Sequence, residues 1–590
     1  MRISFCECLV MIGLATGWPL LACAAADAAR PPAACLAPEE TLLFVSVLDV
    51  PDARARLART AIGGLIDEPA LAPAVADMLR SIDAATAPLR ESVGLTTADL
   101  LDIPQGELAI AVVPQENGNP APVLLIDTGE DASKAKRLVQ AIVERIEQAG
   151  NRRSEKLVLE TPITVFEDVG RGQQDLAFFK KEETLVWSNA PEPLEQVLRL
   201  WEAQDGPTLA ARPDFAAIMQ GSRRLNPKPQ AIWYINPLAM FEAGARDRLD
   251  MQVALMMLPA LGLDGVKAAG GAVELDAGPY DSLWHAHLIL DSPRKGVVAM
   301  VKPKPGRMTP PDWVPADAAD YLTIHWDLNA SVDTLRTLFD TFRGEGSLDD
   351  FITARLSAPL GVDLLGEVLP ALSGRITSVR WVEKPVVSAS EAFLLAMELV
   401  PEANAHELLE ESAGKNSSRL MRRQFAGAEY YEVVSRPTQT AETPQQSLRA
   451  PCFGIVGDWL IVADREALFK AALMAARGGM KRLAEAADFQ QMIGQMDQLA
   501  GGAAPVMVRF QRPAERTAAW FEPLRQQGAE ELARRPRRRG PLRALGAAIQ
   551  GHPLPPFATL EKYFPPSAAV MLDDQGGLHY TSFTLKSRVP

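Results

Sequence analysis

The 590 residues carry 60 Lys and Arg against 74 Asp and Glu, a formal net charge of −14. Hydrophobic residues make up 47% and charged residues 23%, which excludes a disordered chain and, at this length, a single core. The acidic balance speaks against a general nucleic-acid binder, which needs a basic face for phosphates.

The chain opens on an export signal, read over residues 1–26. Arg2 gives a thin positive start, residues 8–22 form an apolar stretch broken by Gly17 and Pro19, and Ala24, Ala25 and Ala26 supply the small residues of a cleavage site. Leu20-Leu21-Ala22-Cys23 is similar to a lipobox, so Cys23 is the candidate lipidation site; a di- or triacyl group there would anchor the chain firmly. Past the signal no stretch reaches the ~18 apolar residues of a membrane span. The nearest, residues 251–263, reads as a buried helix. The expected location is the periplasm or envelope. Of five cysteines, Cys6 and Cys8 leave with the signal. Cys35 and Cys452 read as two separate thiols, although an oxidising compartment would permit a bond. There is no CxxC.

Residues 27–37 are a Pro/Ala linker, and a first repeat spans 38–300. A buried strand is expected over 41–48, strands over 107–113 and 122–127, and a helix over 131–148 with apolar residues at helical spacing. Strands over 157–159, 163–167 and 175–179 lead into the unit at 178–198, where two strands joined by a polar turn run through Asn189 into a helix. A short helix over 214–219, a strand over 231–235, a longer helix and closing strands over 271–275 and 282–290 complete the repeat.

A Pro-rich spacer covers 301–312, and repeat two covers 313–590 with an Arg-rich insert near 525–550. The unit at 178–198 returns at 453–473, with Asp464 in place of Asn189. Pro315 matches Pro38, Asp363-Leu364-Leu365 matches Asp99-Leu100-Leu101, Asp488-Phe489 matches Asp214-Phe215, and residues 578–585 match 283–290, all in order. Asn189 and Asp464 are expected to cap the helices that follow them. Hairpin-like strands with few helices between them predict an α+β fold: two tandem homologous repeats, each a curved, mostly antiparallel sheet packed with helices. The repeats are expected side by side, with pseudo-twofold symmetry and a groove between them.

Two features carry candidate chemistry. His285 and His287 alternate on a predicted strand, so both imidazoles face one side, as in some strand metal sites. A metal needs further ligands that the sequence does not assign; two polar residues on a solvent-facing strand side is the simpler reading. The basic run Arg534, Arg535, Arg537, Arg538, Arg539 and Arg543 stands out in an acidic chain. It is a candidate dock for anionic lipid, acidic glycan or another envelope component, or a patch that neutralises the chain's own carboxylates. His325, His406, His552 and His579 stand alone. Acidic pairs such as Asp349-Asp350 and Asp573-Asp574 are too common here to carry weight. Trp187, Trp201, Trp233, Trp284, Trp326 and Trp459 read as core residues, mostly on strands. GxSxG, HExxH, SxxK with KTG, and GxGxxG after a strand are all missing, so no cofactor is expected.

The Pro38-Glu39 and Pro315-Ala316-Asp317 openings, the Asp-Leu-Leu to Pro-Gln-Gly-Glu segment at 99–107, and the closing Pro-Pro-Phe to Thr-Ser-Phe segment at 555–583 have a counterpart. In this order they resemble a family of large exported bacterial proteins grouped as a domain of unknown function, with an internal duplication. That family brings no activity, ligand or site. The reading favoured is a non-enzymatic exported envelope protein with a binding or scaffolding role. The alternatives are a carrier of an apolar or lipid ligand, and a hydrolase whose site is assembled from distant residues.

Overall fold

Alternating apolar residues set the strands. In Leu108–Val113, LAIAVV, every second side chain is buried. The hairpin inside the repeated unit turns at Glu182, whose φ of 52° closes the tight connection. The computed structural model describes residues 30–586 apart from 78–79, 81–95, 116–118, 131, 149, 168–174, 204–205, 223–228, 247, 387–389, 435–450 and 528–553. The signal with Cys23, the arginines 534–543 and His552 therefore lie outside the described residues.

The first half contributes β1 (Leu43–Val47), β2 (Leu108–Val113), β3 (Ala121–Asp127), β4 (Arg152–Val158), β5 (Thr161–Glu167), β6 (Leu176–Lys181), β7 (Thr184–Ser188), β8 (Ala231–Ile235), β9 (Val266–Ala277) and β10 (Tyr280–Leu290). The second contributes β11 (Asp320–His325), β12 (Leu372–Val382), β13 (Glu391–Leu399), β14 (Leu420–Phe425), β15 (Ala428–Val433), β16 (Cys452–Val456), β17 (Trp459–Ala463), β18 (Met507–Gln511), β19 (Ser567–Asp574) and β20 (Gly577–Leu585). All pairings are antiparallel. The first half runs β4-β5-β6-β7-β3-β2-β1-β8-β9-β10. The second runs β14-β15-β16-β17-β13-β12-β11-β18-β19-β20, the same order.

The halves are not separated by a groove along the sheet. β10 pairs directly with β20, from Leu283 opposite Phe583 to Ile289 opposite Gly577, and makes one continuous sheet. Its outer edges, β4 (RRSEKLV) and β14 (LMRRQF), are largely exposed and charged, which discourages further edge pairing.

One face is covered by helices Pro191–Ala203 and Pro213–Ser222 in the first half, and by Glu466–Ala476 and Ala487–Ala500 in the second. The packing detail matches between halves. Phe215 meets Phe44 and Tyr234 edge-on at 6.3 and 5.7 Å. Phe489 meets Tyr321 and Phe510 at 6.2 and 5.4 Å. Burying each such ring stabilises by about 2–3 kcal/mol.

Three expectations are corrected. The segment read as a buried helix forms Leu249–Met257, and none of its residues is buried. Asn189 and Asp464 do not cap helices: Asn189 Oδ1 has no hydrogen-bond partner, and Asp464 Oδ1 accepts from the backbone N–H of Phe393 on β13 at 2.7 Å. A bond across to a neighbouring strand end outcompetes the local cap. Cys452 is a free, buried thiol, not bonded to Cys35, as expected. Trp201 and Trp459 are buried, but Trp284 is 37% exposed, so the tryptophans are not all core.

Candidate functional site

The joint between the halves is polar where a core would be apolar. On β10, Leu283, His285 and His287 share the helix-covered face, by the period of two. The rings of His285 and His287 are nearly parallel, 6.2 Å apart and 7° off. They are not solvent-facing as expected: His285 is 2% and His287 4% exposed. The cause is the joint itself, since β20 flanks them on one side, β9 on the other, and helix Pro213–Ser222 lies above.

β20 places His579 opposite His287 and Thr581 opposite His285. His287 Nδ1 lies 2.7 Å from His579 Nδ1, and His285 Nδ1 lies 3.2 Å from Thr581 Oγ1. His579, which stands alone in sequence, is thus part of the cluster. Its Nε2 lies 3.0 Å from Asp574 Oδ1, and His287 Nε2 lies 3.0 Å from Ser222 Oγ. The result is a hydrogen-bonded line Ser222–His287–His579–Asp574, two members from each half. Gly221 lets the helix come this close, since a Cβ there would sit 2.7 Å from His287 Cε1. Glu274 of β9, fully buried, stands 3.9 Å from His285 Nε2.

The proton order follows from the carboxylate. Asp574 accepts, so His579 Nε2 donates. While both rings are neutral, His287 Nδ1–H donates to His579 Nδ1 and the Ser222 hydroxyl donates to His287 Nε2. Protonating His579 reverses the last two bonds. Burial pulls His285 down to about 4. Burial, then the His579 and His285 charges, pulls His287 down to about 3. Asp574 is lowered: hydrogen bonding and attraction from His579 outweigh its desolvation, the largest single effect. The two β10 imidazoles are therefore neutral at pH 7.

A serine hydroxyl donating to an imidazole backed by a second group resembles an activated nucleophile. Here the line is oriented the other way round. Ser222 is 1% exposed, whereas the Asp574 side chain is 57% exposed. Ser222 is also the tenth residue of helix Pro213–Ser222, far from the N-terminus whose macrodipole would favour an oxyanion. Among the described residues no three His, Cys, Asp or Glu side chains are grouped to hold a metal ion. Cavities lie elsewhere. One of about 400 Å³ is lined by Asp488, Arg512, Lys562 and Phe564. Another, of about 190 Å³, lies between Ala135, Val139, Phe178 and Leu185.

Sequence reasoning paired His285 with His287 on one face but missed His579, Asp574 and Ser222. A signal existed: the last strand of each half needs a partner for its edge, and pairing the two aligns His287 with His579. Among the described residues no helix is long and apolar enough to cross a membrane. No family model matches the chain, and no curated protein or solved structure is similar to it, so the family resemblance rests only on the residues that carry it.

Proposed function

We propose that the chain is a non-enzymatic exported protein, built by duplication of one sheet module, with a binding or scaffolding role at the cell envelope. The duplication is supported by the identical strand order of the halves, by the matched Phe44–Phe215–Tyr234 and Tyr321–Phe489–Phe510 clusters, and by the β-bridges of Pro38 to Thr208 and Pro315 to Arg482. The observation that carries the non-enzymatic reading is the placement of Ser222: the hydroxyl of the polar line at the joint is 1% exposed and lies ten residues into its helix, away from the N-terminus. A hydrolase needs that hydroxyl in a cleft, facing oxyanion donors. The carrier alternative has less support among the described residues, where the apolar cavity beside Phe178, of about 190 Å³, falls below the ~300 Å³ lower bound of ligand pockets.

A fluorophosphonate probe, which labels activated serines, tests the reading. The native protein is expected to remain unlabelled. Labelling abolished by Ser222→Ala overturns it.

A further inference from the structure

An apolar helix should be buried in a core or in lipid. Helix Leu249–Met257, LDMQVALMM, breaks that rule in water. Leu249 is 77%, Val253 56%, Met256 80% and Met257 44% exposed. In the second half the first helix after β18, Pro513–Gln527, exposes Trp520 (56%) but seats its neighbour Phe521 against other side chains. Phe521 there is 8% exposed and packs on Phe557 at 5.6 Å, with Leu65 and Leu71 beside it. Helix Leu249–Met257, the second helix after β8, has no buried residue.

The exposed surface continues. Val297 N–H donates to the Leu261 carbonyl at 2.7 Å, and Ser331 Oγ donates to the Met300 carbonyl at 2.7 Å. The turn Gly296–Met300 so joins the segment that follows helix Leu249–Met257 to helix Leu328–Arg343. That helix and the segment after it expose Phe342 (53%), Phe351 (47%), Leu356 (46%) and Leu360 (44%). Between the two patches stand Lys295, Lys302 and Lys304, all exposed. In a chain with more acids than bases, none of the three is paired with a carboxylate among the described residues.

Apolar side chains flanked by lysines that no carboxylate neutralises are the chemistry of an interfacial membrane contact; Lys304 here donates only to the Ser373 carbonyl, at 3.2 Å. We propose that helix Leu249–Met257, with the exposed Phe342, Phe351, Leu356 and Leu360 of the segment after β11, is the face on which the protein lies against an anionic lipid surface. The apolar side chains enter the acyl boundary and Lys295, Lys302 and Lys304 meet the lipid phosphates. This names a partner class for the binding role proposed above and rests on that reading.

The test is flotation of the full chain carrying Cys23→Ala, so that no acyl anchor contributes, with phosphatidylcholine vesicles that contain or lack phosphatidylglycerol. The chain is expected to float with the anionic vesicles. Val253→Glu with Met256→Glu, both at exposed positions, should weaken binding at least about tenfold with an unchanged thermal melt. Lys295→Gln, Lys302→Gln and Lys304→Gln should each weaken it roughly fivefold and together remove the preference for anionic vesicles. Absence of flotation, or Glu variants that bind as well as the parent, overturns the proposal. So does a dimer in light scattering that the same Glu substitutions split, because the patch is then an interface between copies. Failure here leaves the Ser222 labelling result untouched, and labelling of Ser222 would not alter vesicle binding.

Discussion

The histidine joint makes stability depend on pH in a defined window. His285 and His287 sit at about 4 and about 3 in the folded protein, against an ordinary 6.5. The folded-state values are depressed, so the unfolded chain binds protons first as pH falls. Stability is full above pH 6.5 and drops as pH moves through 6.5 towards 4. With ~1.4 kcal/mol per pH unit per site, the complete losses are about 3 kcal/mol for His285 and about 5 kcal/mol for His287. At pH 5 each has lost about 2 kcal/mol. The groups facing them are His579, Asp574, Ser222, Thr581 and Glu274. Asp574, lowered from 3.8, titrates below this window. Urea unfolding at pH 7.5, 6.5, 5.8 and 5.0, for the parent and for His285→Asn with His287→Asn, isolates the two rings. Below pH 6.5 the parent should lose about 3 kcal/mol per pH unit more than the variant. Equal slopes for the two proteins would refute the burial of neutral imidazoles at the joint.

Three further outcomes are expected. Gly221→Ala, whose Cβ would press on His287 at 2.7 Å, should lower the urea midpoint by the equivalent of about 1–3 kcal/mol, and an unchanged midpoint would show that the helix is not seated on that ring. The Cys452 thiol is pushed up to about 12, by burial first and then by Glu466, Glu432 and Asp464. It should therefore ignore a thiol reagent at pH 8 until the chain unfolds, and prompt labelling of native protein would contradict its placement. Asp464→Ala should cost about 1–2 kcal/mol, because the Phe393 N–H loses its acceptor, whereas Asn189→Ala should cost almost nothing, a contrast that equal chemical melts would dismiss.

Local chemistry made the strands readable. β8 falls at 231–235 as expected, and the helix expected over 131–148 is Ser133–Gln148, because alternation and helical spacing are properties of neighbouring residues. The matched positions Asp214 and Asp488 each open a helix, and each pairs with an arginine, Arg212 or Arg512. What was not readable depended on partners far along the chain. Asp464 looks like a cap until β13 supplies the Phe393 N–H. A helix as apolar as Leu249–Met257 looks buried, because hydrophobicity says what a surface prefers and not whether anything covers it. His579 and Asp574 meet His287 only once the two closing strands pair, across 292 residues of sequence for the His287–His579 contact.

That pairing also explains why a joint between two similar sheets should be polar at all. Two apolar edge strands would pair in several registers with little to choose between them. A slip of one residue would turn His285 and His287 to the open face and bring Trp284 inward. A slip of two would keep the faces but set His287 opposite Thr581 or Gly577, leaving its Nδ1 and the His579 ring without each other. Every unpaired buried nitrogen costs about 1–3 kcal/mol, so each wrong register is penalised several times over. An apolar isostere of the same volume would stabilise the joint as well without naming its register. The Ser222–His287–His579–Asp574 line thus selects one alignment of the halves, and it does so with side chains whose reactive end is closed to solvent.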